Sequence, residues 1–222
     1  MRSWALRRAV SRLATLAHSA KAVDVSAARE QLQQFVQSAP PAQARWLLGE
    51  MASDHAGETG AVFIYRGAQA ALTLRESDAE VHSARAFVAE HLATEAQHLA
   101  YFEALLAHEH RSALLPAWRA AGYALGWLPT AVGGSRWLYA TVEAVETFVE
   151  KHYAEQTCDD QLRIQCPDLV ALLELCAQDE VHHKVEAAGR AGDAVRCSFV
   201  GKIWSAVVGG GSQAAVALAR HV

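Results

Sequence analysis

Apolar residues recur every three to four positions along most of the chain, the spacing of one buried helical stripe. The period runs from about Ala44 to Leu74, from about Asp78 to Ala107, from Ser135 to Thr157, and from Pro167 to about Gly189–Gly192. Pro167 fits the first turn of its helix, and Pro40-Pro41 ends a short leading helix. Between the second and third long helices, residues 113–132 are apolar almost all round and punctuated by Pro116, Pro129 and Gly133-Gly134. A last amphipathic segment covers 199–219, where Gly209-Gly210-Gly211 predicts a break. Runs of β-branched and aromatic residues bounded by turn pairs are almost absent. The pattern predicts an all-α four-helix bundle with an apolar insert between its halves and a C-terminal amphipathic helix. Residues 24–43 would form a leading helix and linker, and 44–222 the main domain.

Composition narrows the classes. With 222 residues and 52 % hydrophobic content, the chain can bury a sizeable core and is not disordered. Net charge is −4 and no basic stripe interleaved with aromatics is present in the body, so nucleic acid is not an expected partner. Cys158, Cys166, Cys176 and Cys197 have no zinc-type spacing and are expected to be buried reduced thiols. Residues 1–23 carry Arg2, Arg7, Arg8, Arg12 and Lys21 with no acid before Asp24, as a mitochondrial targeting segment does; a basic tail on an anionic membrane is the other reading. Residues 113–132 and 199–219 are too interrupted for a clean span, and they fit a chain lying on a bilayer better than one crossing it. The glycine-rich stretches lack a phosphate-loop ending, and no GxSxG elbow is present.

Two Glu-x-x-His pairs stand out, Glu95 with His98 and Glu180 with His183. Residues three apart on a helix share a face and can grip one metal. With 16 glutamates and 11 histidines in 222 residues, about one such pair would arise by chance. Their placement adds the information. Glu58 precedes the first pair by 37 residues and Glu146 precedes the second by 34, one helix-turn-helix step each, so the two halves repeat each other. One Glu from each of two helices and Glu-x-x-His from each of the other two is the ligand set of ferritin-like di-iron proteins.

The neighbours point inward. Glu146 shares a stripe with Tyr139, Val142, Val149 and Tyr153; Glu95 lies among Val88, Leu92, Leu99 and Phe102; Glu58 lies in line with Met51, Val62 and Tyr65. A bare carboxylate on such a stripe would cost several kcal/mol in desolvation, so it needs a cation or a proton. Two divalent ions would balance four carboxylates. Glu143, Glu150 and Asp179 are rivals on their helices, and Asp179-x-x-His182 is a shifted alternative that spacing leaves open. Mixed carboxylate and imidazole donors suit iron or manganese better than zinc.

These residues resemble the demethoxyubiquinone hydroxylases of ubiquinone biosynthesis. Asp54-His55-Ala56-Gly57-Glu58-Thr59-Gly60-Ala61, followed by Ile64-Tyr65, is similar to that family's first ligand signature, and Glu95 to Leu99 to its second. Gly122 to Gly126 resembles its apolar insert, Val142 to Glu146 with His152-Tyr153 its third helix, and Asp179 to His183 its fourth. The resemblance covers about residues 44 to 220; Thr59 and Glu150-Lys151 depart from the pattern. It implies a di-iron monooxygenase in which Glu58, Glu95, His98, Glu146, Glu180 and His183 ligate two irons and His152 and Tyr153 act near the substrate. It implies O2-dependent hydroxylation of a polyprenylated demethoxybenzoquinol, with electrons from NADH or from the quinol itself. A peripheral place on the matrix face of the mitochondrial inner membrane follows, or on the cytoplasmic face of a bacterial membrane, along with homo-oligomers and a lipid-binding helper protein. Asp54 and Asp179 are expected each to hydrogen-bond a ligand histidine across the bundle. Leu125, Trp127 and Leu128 are expected to face the lipid and the substrate tail. The competing readings are a di-iron membrane quinol oxidase, an iron-storage ferroxidase and a non-enzymatic helical lipid-binding scaffold.

Overall fold

The computed structural model describes residues 23–76 and 78–221. The basic segment expected to act in targeting lies outside the described residues, apart from Val23. The described chain is all-α, as the periodicity predicts. The helices are α1 (Val25–Ser38), α2 (Pro41–Thr73), α3 (Ala79–Leu105), α4 (Leu115–Gly133), α5 (Ser135–Thr157), α6 (Asp160–Gln165), α7 (Pro167–Ala191), α8 (Asp193–Arg196) and α9 (Phe199–Ala219), with one 3-10 turn at His108–His110.

Local chemistry sets the ends. The Asp24 side chain accepts from the N–H groups of Ser26 and Ala27, Asp78 from Val81, Asp159 from Leu162 and Ser198 from Gly201, each satisfying an otherwise orphaned helical donor. Pro41 and Pro167 stand at helix starts, where the missing N–H costs nothing. One expectation fails. The Gly209-Gly210-Gly211 run does not break α9, which continues from Phe199 to Ala219. Glycine weakens a helix by roughly 1 kcal/mol per residue against alanine, and packing of α9 against α5 and α2 outweighs that.

Helices α2, α3, α5 and α7 form the bundle; α1 covers α7, while α4 and α9 lie outside α2 and α5. The α2–α4 contact is made by backbone. A Cβ at Gly126 would sit 1.8 Å from the Ile64 carbonyl oxygen, and one at Gly122 would sit 2.3 Å from that of Gly60. Only glycine permits this approach, which gives the Gly122 to Gly126 motif its physical reason. Two apolar clusters sit toward the bundle's ends, one around Leu47, Met51, Phe102 and Leu172, the other around Tyr65, Phe87, Leu138 and Ala187. A third, with Ile64, Val145 and Val208, ties α9 and the Leu125 side of α4 to the bundle. Along each bundle helix the acidic residues fall between the first two clusters. No helix among the described residues is long and apolar enough to cross a membrane. The cysteines correct a second expectation: all are free, but only Cys166 and Cys176 are buried, while Cys158 and Cys197 are exposed.

Candidate metal centre

The six residues chosen by spacing converge. Donor atoms of Glu58, Glu95, His98 and Glu180 lie within 4.8 Å of one another, and so do those of Glu95, Glu146, Glu180 and His183. Glu95 and Glu180 belong to both quartets. Glu58 with His98 completes one and Glu146 with His183 the other. All six are buried, none more than 4 % exposed. The rivals go elsewhere: Glu143 pairs with Arg196, Glu150 with Lys184, and His182 is exposed.

Four buried carboxylates in one space demand positive charge. In the protein alone, protons and imidazolium groups provide it. Burial, then the charge of Glu180, pushes Glu95 up to about 8. Burial, then Glu180 and Glu95, raises Glu146 well above the ordinary range. Burial also acts on Glu180, but hydrogen bonds from His183 and His98 outweigh it and hold that carboxyl low. Burial opposes charge on His183, yet its contacts with Glu180 and Glu95 raise it to about 10. Even so, Glu58 Oε2 and both oxygens of Glu95 are buried without a hydrogen-bond partner among the described residues. His183 Nδ1 is 3.0 Å from Glu95 Oε1 but lacks hydrogen-bonding geometry there. Orphaned carboxylate oxygens facing two imidazoles are what a pair of divalent cations would satisfy, and the oxygen-rich mixed donor set fits iron or manganese.

The surroundings of the two halves differ. Asp179 Oδ2 lies 3.1 Å from His98 Nε2, leaving Nδ1 turned toward Glu180 at 3.0 Å. Asp54 departs from expectation. Its carboxylate meets His152 Nε2 at 2.9 Å and accepts from Gln156 Nε2 at 3.0 Å, not from a ligand histidine. The reason is rotational. Asp179 adjoins its ligand Glu180, whereas Asp54 lies one helical turn before Glu58 on the same face and so points along the bundle toward His152. The Tyr153 hydroxyl donates to Glu58 Oε1 at 2.5 Å. His183 instead meets the ring of His91, centroids 4.1 Å apart, and His91 Nε2 lies 3.1 Å from Glu186. The departures from the family pattern are satisfied locally, since the Thr59 hydroxyl donates to the His55 carbonyl and Glu150 meets Lys184.

Sequence reading missed the buried polar chain behind His152. Gln156 also donates to Glu50, and Arg220, from the end of α9, donates to the same Glu50 oxygen at 2.9 Å. Glu50, Asp54 and Glu58 are spaced one turn apart on α2, a signal that could have been found. His91 was missed too, although it lies one turn before Glu95.

A cavity of about 360 Å³ leads to the cluster. Its inner wall is Glu58, Glu95, Glu146 and Glu180 with His152 and Tyr153; its outer walls are apolar side chains of α2, α4, α5 and α9, among them Ile64, Leu125, Phe148 and Val208. Of the expected tail-facing residues, Leu125 lines this cavity, Leu128 is exposed on the outer surface, and Trp127 is half-buried outside the lining.

Residues 46–219 match the family model described as ubiquinone biosynthesis protein COQ7. The chain belongs to this family. Among its COQ7-family relatives, the 3-demethoxyubiquinol 3-hydroxylase of Rhodospirillum rubrum is 37 % identical over 137 residues, covering 59 % of this chain and 58 % of the relative. The NADPH-dependent 3-demethoxyubiquinone 3-hydroxylase, mitochondrial, of Dictyostelium discoideum is 32 % identical over 139 residues, with the same coverage of 59 % and 58 %. The match thus spans under two thirds of each relative's length.

Proposed function

We propose that this chain is an O2-dependent hydroxylase of a polyprenylated demethoxybenzoquinol ring, a late step of ubiquinone biosynthesis. Its metals are two irons held by Glu58, Glu95, His98, Glu146, Glu180 and His183. The observation that carries this reading is a pair of buried donor quartets sharing Glu95 and Glu180 at the inner end of an apolar cavity. Family membership and the printed names of the two relatives support the substrate class.

Bound there, a pair of irons would supply reductive activation of dioxygen, so that one oxygen atom enters a ring C–H and the other leaves as water. The two electrons come from a reduced nicotinamide or from the quinol. The chain's own residues do the rest. Glu95 and Glu180, common to both donor quartets, would hold metal with the other four ligands, and the Tyr153 hydroxyl donates to Glu58 and fixes it. Asp179 holds the His98 ring so that Nδ1 faces the cluster. His152 borders the cavity with Nε2 committed to Asp54 and its ring stacked on Phe148, 6.0 Å between centroids. Burial works against charge on His152, but the hydrogen bond and charge of Asp54, with Glu50 behind it, raise its pKa. A quinol head at this wall would therefore meet the His152 imidazole, whose hold on its proton Asp54 strengthens, beside the carboxylates, while the apolar walls exclude water and take the start of the tail.

The outer face supports a peripheral membrane position, on a mitochondrial inner membrane or a bacterial cytoplasmic membrane. Leu128 and Val132 of α4, and Phe199, Val200, Ile203 and Val207 of α9, are all exposed, apolar surface that lipid would meet. The test is aerobic incubation of the iron-loaded chain with demethoxyquinol and a reductant, followed by mass spectrometry. Wild type gains one oxygen atom in the product; Glu58→Ala and Glu146→Ala do not. Product formed by both variants would refute the ligand assignment. Metal analysis separates the alternatives: a scaffold holds no iron, a ferroxidase store many per chain.

A further inference from the structure

The repeat that relates the two halves extends past the ligands. Tyr153 follows Glu146 by seven residues on α5, and Tyr65 follows Glu58 by seven on α2, two turns in each case. Tyr153 does not serve the carboxylate of its own helix. It crosses to Glu58 in the other half. The same relation, applied to the other half, would pair the Tyr65 hydroxyl with Glu146.

The surroundings of Tyr65 agree. The side chain is 1 % exposed, and its hydroxyl has no hydrogen-bond partner among the described residues. Its ring is fixed by Phe87 and His91, with centroids 6.3 and 5.8 Å away. Burial first, then the charges of Glu146, Glu95 and Glu180, holds the phenol well above its ordinary pKa, so this hydroxyl keeps its proton and can only be a donor toward those acids. A buried hydroxyl without a partner is costly, and phenylalanine would fill the same space without that cost. A tyrosine here calls for an acceptor, and the carboxylates are the acceptors at hand.

We propose that Tyr65 is a positioning residue of the second half, whose hydroxyl donates to Glu146 once the metal pair is bound, completing with Tyr153 and Glu58 a crossed pair of phenol–carboxylate hydrogen bonds. The inference rests on the metal reading given above. Its chemical sense lies in denticity. A donor on one oxygen of a terminal carboxylate keeps that oxygen off the metal and fixes which one coordinates. Tyr153 already donates to one oxygen of Glu58 in the protein alone.

The test uses the full chain of wild type, Tyr65→Phe and Tyr153→Phe, titrated with cobalt(II) and followed by d–d absorption and metal analysis. Without metal, Tyr65→Phe melts at or above the wild-type temperature, since it removes an unpartnered hydroxyl, whereas Tyr153→Phe melts lower. With metal, Tyr65→Phe binds one of two cobalt ions about tenfold more weakly, the loss of one charge-assisted hydrogen bond. Ultraviolet resonance Raman, taken as wild type minus Tyr65→Phe, moves to the donor form of the tyrosine doublet on loading. A Tyr65 doublet that does not change on loading, or cobalt affinities within about twofold of wild type at both sites, overturns the proposal. Wild type that takes up no metal overturns the metal reading and this inference together; wild-type loading by Tyr65→Phe overturns this inference alone.

Discussion

The two halves of the centre present the same three candidate ligands in the same order, yet they are supported differently. Around Glu58 and His98 the outer shell is polar and already in place: Tyr153 donates to Glu58 and Asp179 meets His98. Around Glu146 and His183 it is aromatic. His91 covers His183 with its ring, and the Tyr65 hydroxyl has no bond. The first half is preorganised by hydrogen bonds, the second by packing. A repeat thus fixes ligand identity while leaving the two metal positions free to differ in strength and protonation.

The largest break in this comparison is at a shared ligand. Glu180→Ala removes a donor from both quartets, so bound metal falls to near zero and turnover falls by at least about a thousandfold, read by metal analysis and single-turnover assay. Next is an asymmetric cut. Asp179→Asn releases the His98 ring and weakens one metal roughly 10- to 100-fold. His91→Phe keeps ring packing on His183 and leaves both affinities close to wild type. Equal losses from the two substitutions would erase the distinction between the halves.

Acidity sharpens it further. Metal-free Glu95 sits at about 8, so at pH 7 it holds a proton that an entering cation must displace. A carboxyl raised from its unfolded value stabilises the metal-free fold at low pH and loses that contribution as pH rises toward 8. Metal uptake has the opposite sign: it releases protons and weakens as pH falls from 8 to 6, measured by calorimetry in buffers of different ionisation enthalpy. Affinity that does not vary across that range would contradict the protonated cluster.

The smallest effect lies outside the halves, at Arg220→Ala. It removes the cation paired with buried Glu50 and should lower stability by about 1–3 kcal/mol in denaturant titrations, leaving metal stoichiometry unchanged.

Sequence made the converging cluster legible because a donor cluster on helices is a problem of spacing. Glu58, Glu95, His98, Glu146, Glu180 and His183 sit on apolar stripes at helix-turn-helix intervals, and both facts are local. Partner choice was less legible. Asp54 and Asp179 look alike as acids near ligands, but Asp179 is one residue, about 100°, from Glu180 and meets His98, whereas Asp54 is a full turn from Glu58 on the same face and meets His152. The Gly209-Gly210-Gly211 run read as a break because propensity was weighed without the packing that overrides it. Cys158 and Cys197 read as buried on composition, although each lies at a helix end where the chain is open to solvent. Arg220 stands more than one hundred and fifty residues from Glu50, and no periodicity signals a contact of that kind.

The glycine line between α4 and α2 divides one helix into a sterically closed side and an open one. Along Gly122 and Gly126 the chain touches carbonyl oxygens of helix α2, which presents Glu58, and even a methyl group there would force the two apart. On the opposite side, Leu128 and Val132 meet no such constraint. The outward side can therefore take single substitutions that change its apolar surface, while the inward side is held to one residue type by the geometry it protects.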